Sequence, residues 1–123
     1  MEQETFDSIV EKVFERLPDK FREAIENVGV FTEDYPTEDL VLKLHLPSKH
    51  HLLGLYQGIP LPQRGSWYGM TPIVPDKISL YKRNIESRCH TDEEIADLIY
   101  EVLIHEIGHY FGMSEEEIRA AGY

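Results

Sequence analysis

The sequence predicts an α+β fold, with helices at the N-terminus, a small mixed or antiparallel sheet in the middle and one long helix near the C-terminus. Three observations predict it. Apolar residues recur every three or four positions from Phe6 to Val28, form short alternating or continuous runs from Val28 to Lys82, and return to helical spacing from Ile95 onward. With 123 residues and no internal repeat, the chain is expected to form a single domain over 1–123 around one core.

Phe6, Ile9, Val10, Val13, Phe14 and Leu17 place an apolar stripe on a first helix. Leu17-Pro18 interrupts it, and Pro18 suits the start of a second helix that carries Phe21, Ile25 and Val28 and is closed by Gly29. Val28 to Glu33 reads as a short strand and Tyr35-Pro36 as a turn. Leu40, Leu42, Leu44 and Leu46 alternate with Val41, Lys43 and His45, which is the period of a half-buried strand. Thr37-Glu38-Asp39 would equally cap a helix there, and the strand is the expectation taken. Leu52 to Tyr56 and Lys77 to Lys82 have the composition of further strands. Between them, Gly58 to Asp76 holds Pro60, Pro62, Gly65, Gly69, Pro72 and Pro75, so an irregular loop is expected.

Thr91-Asp92-Glu93-Glu94 marks a helix start, Thr91 capping and Glu94 reciprocating as in a capping box, so a helix is expected from about 92 to 111. Ile95, Leu98, Ile99, Val102 and Leu103 form its apolar stripe, and His105 and His109 fall within that stripe. Gly112 is placed to take a left-handed conformation, end the helix and turn the chain back toward the histidines.

That helix carries the chemistry. In His105-Glu106-Ile107-Gly108-His109 two imidazoles stand four residues apart, so both leave one face of a helix and can reach one Zn²⁺. Glu106 projects about 100° away from His105, off the metal axis but close enough to accept a proton from the water. The alternative for the pair is a satisfied couple of core histidines. Two residues past Gly112, Ser114-Glu115-Glu116-Glu117 completes the pattern His-Glu-x-x-His-x-x-Gly-x-x-Glu, which makes Glu115 the candidate third ligand, with Glu116 and Glu117 as alternatives. Two His and one Glu with an open fourth position is a catalytic zinc arrangement. The plainer reading is that Ser114 caps a short terminal helix with Glu117 at its third position.

From His105 to Glu115 the sequence resembles the extended zincin motif. Leu53 to Leu61, Arg64-Gly65-Ser66 and Pro75-Asp76-Lys77-Ile78-Ser79-Leu80-Tyr81, together with His105 to Gly112, resemble the bacterial minimal zincin-like metallopeptidases, a small family of predicted zinc-dependent proteases. The resemblance runs from the Leu17-Pro18 junction to the Glu-rich end. It implies a zincin-like fold, zinc at His105, His109 and Glu115, and Glu106 as catalytic base; a peptide or protein is the substrate expected. The larger metzincin enzymes place a methionine-bearing turn beneath the metal, well downstream. Here eight residues follow Glu115, and Met113 lies inside the motif.

The expected reaction is peptide hydrolysis. The alternative is a zinc-binding structural or interaction module of the same fold, without peptidase activity. Within the first reading the Gly58-to-Asp76 loop rims the cleft, with Trp67 and Tyr68 lining it and Arg64 holding a substrate carboxylate. The competing reading has the aromatics plug the core edge and Arg64 pair with a surface acid. Tyr110 is a candidate to polarise a carbonyl, or else a core aromatic. Of the other histidines, His50 and His51 are assigned to a loop away from the metal, and His90, just before the metal helix, lies about four turns from His105.

Twelve Lys and Arg stand against 23 Asp and Glu, a formal charge of −11 that repels phosphate backbones and anionic membranes. No nucleic acid and no membrane are expected as partners. Cys89 is the only cysteine, so an intrachain disulfide is excluded, and the thiol is read as a small packing residue. Met1-Glu2-Gln3-Glu4 lacks the basic-then-apolar pattern of a signal peptide, and with the single thiol this predicts a cytoplasmic protein. Oligomeric state is not legible.

Overall fold

The architecture, taken from a computed structural model, is described for residues 1–58 and 76–122. Amphipathic spacing makes the first two helices. Helix α1 (Gln3–Arg16) buries Phe6, Val10 and Val13 and ends where Leu17 becomes extended ahead of Pro18, since a proline ring disfavours helical backbone in the residue before it. Helix α2 (Asp19–Asn27) buries Phe21 and Ala24. Val28 is already extended, so Gly29, expected to close α2, instead opens strand β1 (Gly29–Glu33).

The strand expected over Leu40 to Leu46 is a helix. Thr37 caps α3 (Glu38–Lys43) by accepting from the Leu40 amide at 3.2 Å, and the chain leaves it through His45 at φ 55°. The alternation that suggested a strand is not a burial pattern, because α3 buries no residue and Leu42 is 74 % exposed. With no face to bury, local capping decides the conformation.

After a 3₁₀ turn (Lys49–His51), β2 (Gly54–Gln57) and β3 (Lys77–Tyr81) complete a three-stranded sheet in the order β1-β3-β2. β1 runs parallel to β3, with Val30 beside Ile78, and β2 runs antiparallel to it, with Tyr56 beside Ile78. The sheet is therefore mixed, as expected. Lys82, expected in the last strand, begins α4 (Lys82–Glu86). There the buried Asn84 donates to the carbonyls of Lys49 and Leu52, each at 2.8 Å, and ties the approach to β2 against α4.

Helix α5 (Asp92–Tyr110) is the centre of the packing, and α6 (Glu115–Ala120) follows it. α1, α2 and β2 all pack on α5. One cluster joins Phe6, Val13, Phe21, Leu80, Ile99 and Ile107 to their neighbours, and Cys89 packs half-buried against it, with burial raising its thiol pKa. Among the described residues no helix is long and apolar enough to cross a membrane. Residues 59 to 75, which include Arg64, Trp67 and Tyr68, lie outside the described residues.

Candidate functional site

The helix that bears the motif is fixed at both ends by local chemistry. Thr91 Oγ1 accepts from the Glu94 amide at 3.1 Å. Glu94 returns its carboxylate to the His90 amide at 3.0 Å, one residue ahead of the cap that a capping box would serve. At the other end Gly112 takes φ 78°, its amide bonds the His109 carbonyl at 2.9 Å, and the Met113 amide bonds the Gly108 carbonyl at 2.9 Å. These two bonds are a Schellman motif, which reverses the chain and returns it along α5.

The returning segment is capped in its turn. Ser114 Oγ accepts from the Glu117 amide at 3.1 Å while the Glu117 carboxylate accepts from the Ser114 amide at 3.2 Å, a complete capping box. Glu117 is thereby committed to the backbone. Glu115 is left at the start of α6 with Oε1 3.2 Å from His105 Nδ1 and Oε2 3.9 Å from an Arg119 nitrogen. The capping reading of this segment holds, with Ser114 and Glu117 closing the helix start, and Glu115 faces a motif histidine.

The histidines border the buried stripe of α5 rather than lying within it, with side chains 23 % exposed at His105 and 42 % at His109. Between them Glu106 is only 15 % exposed, and its Oε1 accepts from the Tyr56 amide of β2 at 2.7 Å and lies 3.8 Å from His109 Nδ1. Burial pushes the Glu106 carboxyl above the usual range, against the Tyr56 hydrogen bond and the two imidazoles, which favour the carboxylate, while Glu115 adds to the rise. The donors thus stand as two imidazole–carboxylate pairs, His105 with Glu115 and His109 with Glu106. Among the described residues no three His, Cys, Asp or Glu side chains are gathered about one point that would hold an ion as they stand.

The sequence profile of the zincin-like metallopeptidases matches residues 25–123, which leaves only the first two dozen residues outside it. The chain belongs to this family. Among curated proteins none matches it. In this zincin-like family member His50, His51 and His90 stand away from the motif. The His50 ring meets Tyr35 edge-on at 5.3 Å, His51 Nδ1 contacts Ser48 Oγ at 2.8 Å, and His90 precedes α5 by two residues, about 22 Å of helix from His105. Tyr110 is buried in the core, its ring edge-on to Tyr56 at 5.9 Å.

Sequence reasoning missed the Tyr56 amide as the partner of Glu106. An amide is invisible in a sequence, and the contact spans fifty positions. It also missed Gly54, whose absent side chain lets β2 approach α5: a Cβ there would lie 2.5 Å from Val102 Cγ1. The glycine was visible in the sequence, but its neighbour was not.

The Glu106 environment makes a prediction for the metal-free protein. A carboxyl whose pKa is higher folded than unfolded opposes folding once ionised, an opposition that is full above the folded pKa and absent below the unfolded one. Metal-free Glu106→Gln should therefore melt above wild type at neutral pH, with the difference closing as pH falls through the carboxylate range. A thermal melt series in chelator measures it, and a variant melting below wild type at pH 7 would contradict the assigned cause.

Proposed function

We propose that the chain is a zinc-dependent metallopeptidase in which His105, His109 and Glu115 hold the ion and Glu106 is the catalytic base. The observation that carries this reading is a largely buried carboxylate, Glu106, flanked by two part-exposed imidazoles, with a further acidic side chain, Glu115, turned back onto the first imidazole. The donor set suits zinc. Two imidazoles and a carboxylate are a donor set of catalytic zinc, and His105, His109 and Glu115 would supply it, with Glu115 Oε1 already 3.2 Å from His105 Nδ1. His109 would turn from Glu106 toward His105 to complete the set, which its 42 % exposure permits.

When bound, zinc supplies a Lewis acid for the scissile carbonyl and lowers the pKa of water toward neutrality. The protein supplies proton transfer and positioning. Glu106 takes a proton from the attacking water and returns it to the leaving amine. The Tyr56 amide fixes Oε1, so Oε2 is the oxygen assigned to the proton. Among the described residues β2 is the outer strand of the sheet on the side of Glu106, whose carboxylate takes the Tyr56 amide, and the substrate backbone is assigned alongside that strand. The lone half-buried thiol of Cys89 suits a reducing compartment, which supports the cytoplasm as the place of action.

A second reading has one observation in its favour: the donors are paired two by two rather than gathered. A module that binds zinc only to brace α6 against α5 would gain stability and cleave nothing. Digestion of a peptide library by zinc-loaded protein, by chelator-treated protein and after zinc is restored separates the two. Cleavage that disappears with chelator and returns with zinc is the expected result. Zinc-raised thermal stability without cleavage of any peptide would establish the structural module instead.

A further inference from the structure

We propose that Gly108 and Ile118 form a joint that positions Glu115, the third donor in the zinc reading on which this inference rests. Gly108 stands inside α5, where glycine costs about 1 kcal/mol relative to alanine. The close approach of α6 accounts for it. Ile118 is the buried residue of α6, fully enclosed, and a Cβ built on Gly108 would lie 2.4 Å from its Cδ1 and 2.9 Å from its Cγ1. The Gly108 carbonyl also accepts the Met113 amide of the reversing turn at 2.9 Å.

One residue thus receives both the turn that leads into α6 and the side chain that anchors it. Without that anchor little holds α6, since its other five residues are exposed and its Glu115–Arg119 contact at 3.9 Å is a surface pair of small worth. Glu115 sits three residues before Ile118, close to one turn, so a displaced Ile118 carries Glu115 away from His105. Gly108 and Ile118 touch no substrate and no metal; they act through Glu115.

The test exchanges knob and hole. Gly108→Val adds three carbons where Ile118→Ala removes three, so each single variant should unseat α6 and the double variant should restore the filled volume. Zinc affinity, by competition with a chromogenic chelator, should fall about 10-fold or more in each single variant, the range for residues that orient a ligand, and recover most of that loss in the double. Amide exchange should quicken over residues 115 to 120 in the single variants and slow again in the double, while residues 95 to 107 of α5 stay protected. Wild-type zinc affinity in both single variants, or a double variant as weak as the two losses combined, would overturn the joint. Glu115→Gln measured alongside keeps the two readings apart. If it also binds zinc as wild type does, the ligand set has failed; if it weakens zinc while Gly108→Val does not, only the joint has failed.

Discussion

Glu106→Gln should bind zinc with wild-type affinity and hydrolyse peptides about 10² times more slowly or worse. The substitution keeps the length and shape of the side chain and an oxygen able to accept the Tyr56 amide, now 2.7 Å from Oε1. Glutamine removes only the capacity to carry a proton. Burial strengthens the argument, because Glu106 at 15 % exposure leaves little room for a solvent base to stand in for it. Glu106→Asp makes the complementary case. Aspartate retains a basic carboxylate but is one methylene short, so it cannot reach both the Tyr56 amide and the proton, and its rate should fall between wild type and glutamine. Steady-state rates on one cleaved peptide, with zinc content measured on the same samples, decide the matter. Turnover by Glu106→Gln within threefold of wild type would remove Glu106 as the base while leaving the zinc site standing.

What the sequence made legible follows the range of the interactions involved. α5 and α6 were readable because their ends are set within a few residues: Thr91 with Glu94, Gly112 with the His109 and Gly108 carbonyls, Ser114 with Glu117. The motif residues were readable because a helix converts spacing into a common face. The return of Glu115 to His105 was readable because Gly112 announced the reversal. α3 was misread since period-two apolar spacing signals a strand only where one face is buried, and Leu42 faces solvent. The parallel pairing of β1 with β3 joins residues 48 positions apart, Val30 with Ile78, and nothing local encodes it. The same holds for the Tyr56 amide on Glu106 and for the glycines, whose meaning lies in Val102 and Ile118.

Gly54→Ala should be among the most damaging single-carbon changes outside the motif. The new Cβ would stand 2.5 Å from Val102 Cγ1 and 3.2 Å from the Ser79 carbonyl oxygen, so it is pinned between the central helix and the central strand. Neither can give way cheaply. Val102 is buried on α5, and the Ser79 oxygen belongs to the backbone of β3, paired with β2 through Leu55. Overpacking of this kind costs about 1–3 kcal/mol, which for a chain of this size lowers the melting temperature by roughly 4–15 °C. The displacement also has a direction. β2 must lift from α5, and Tyr56, two residues along, carries its amide away from Glu106. Zinc affinity should hold, since no donor lies on β2, while kcat falls about 10-fold as the base loses its fixed orientation. Val102→Ala removes the methyl in conflict, so Gly54→Ala/Val102→Ala should recover part of the melting temperature and of kcat that Gly54→Ala loses. A Gly54→Ala protein that melts within a degree of wild type, or a double variant no better than the sum of its parts, would show that β2 is not held against α5 by this contact.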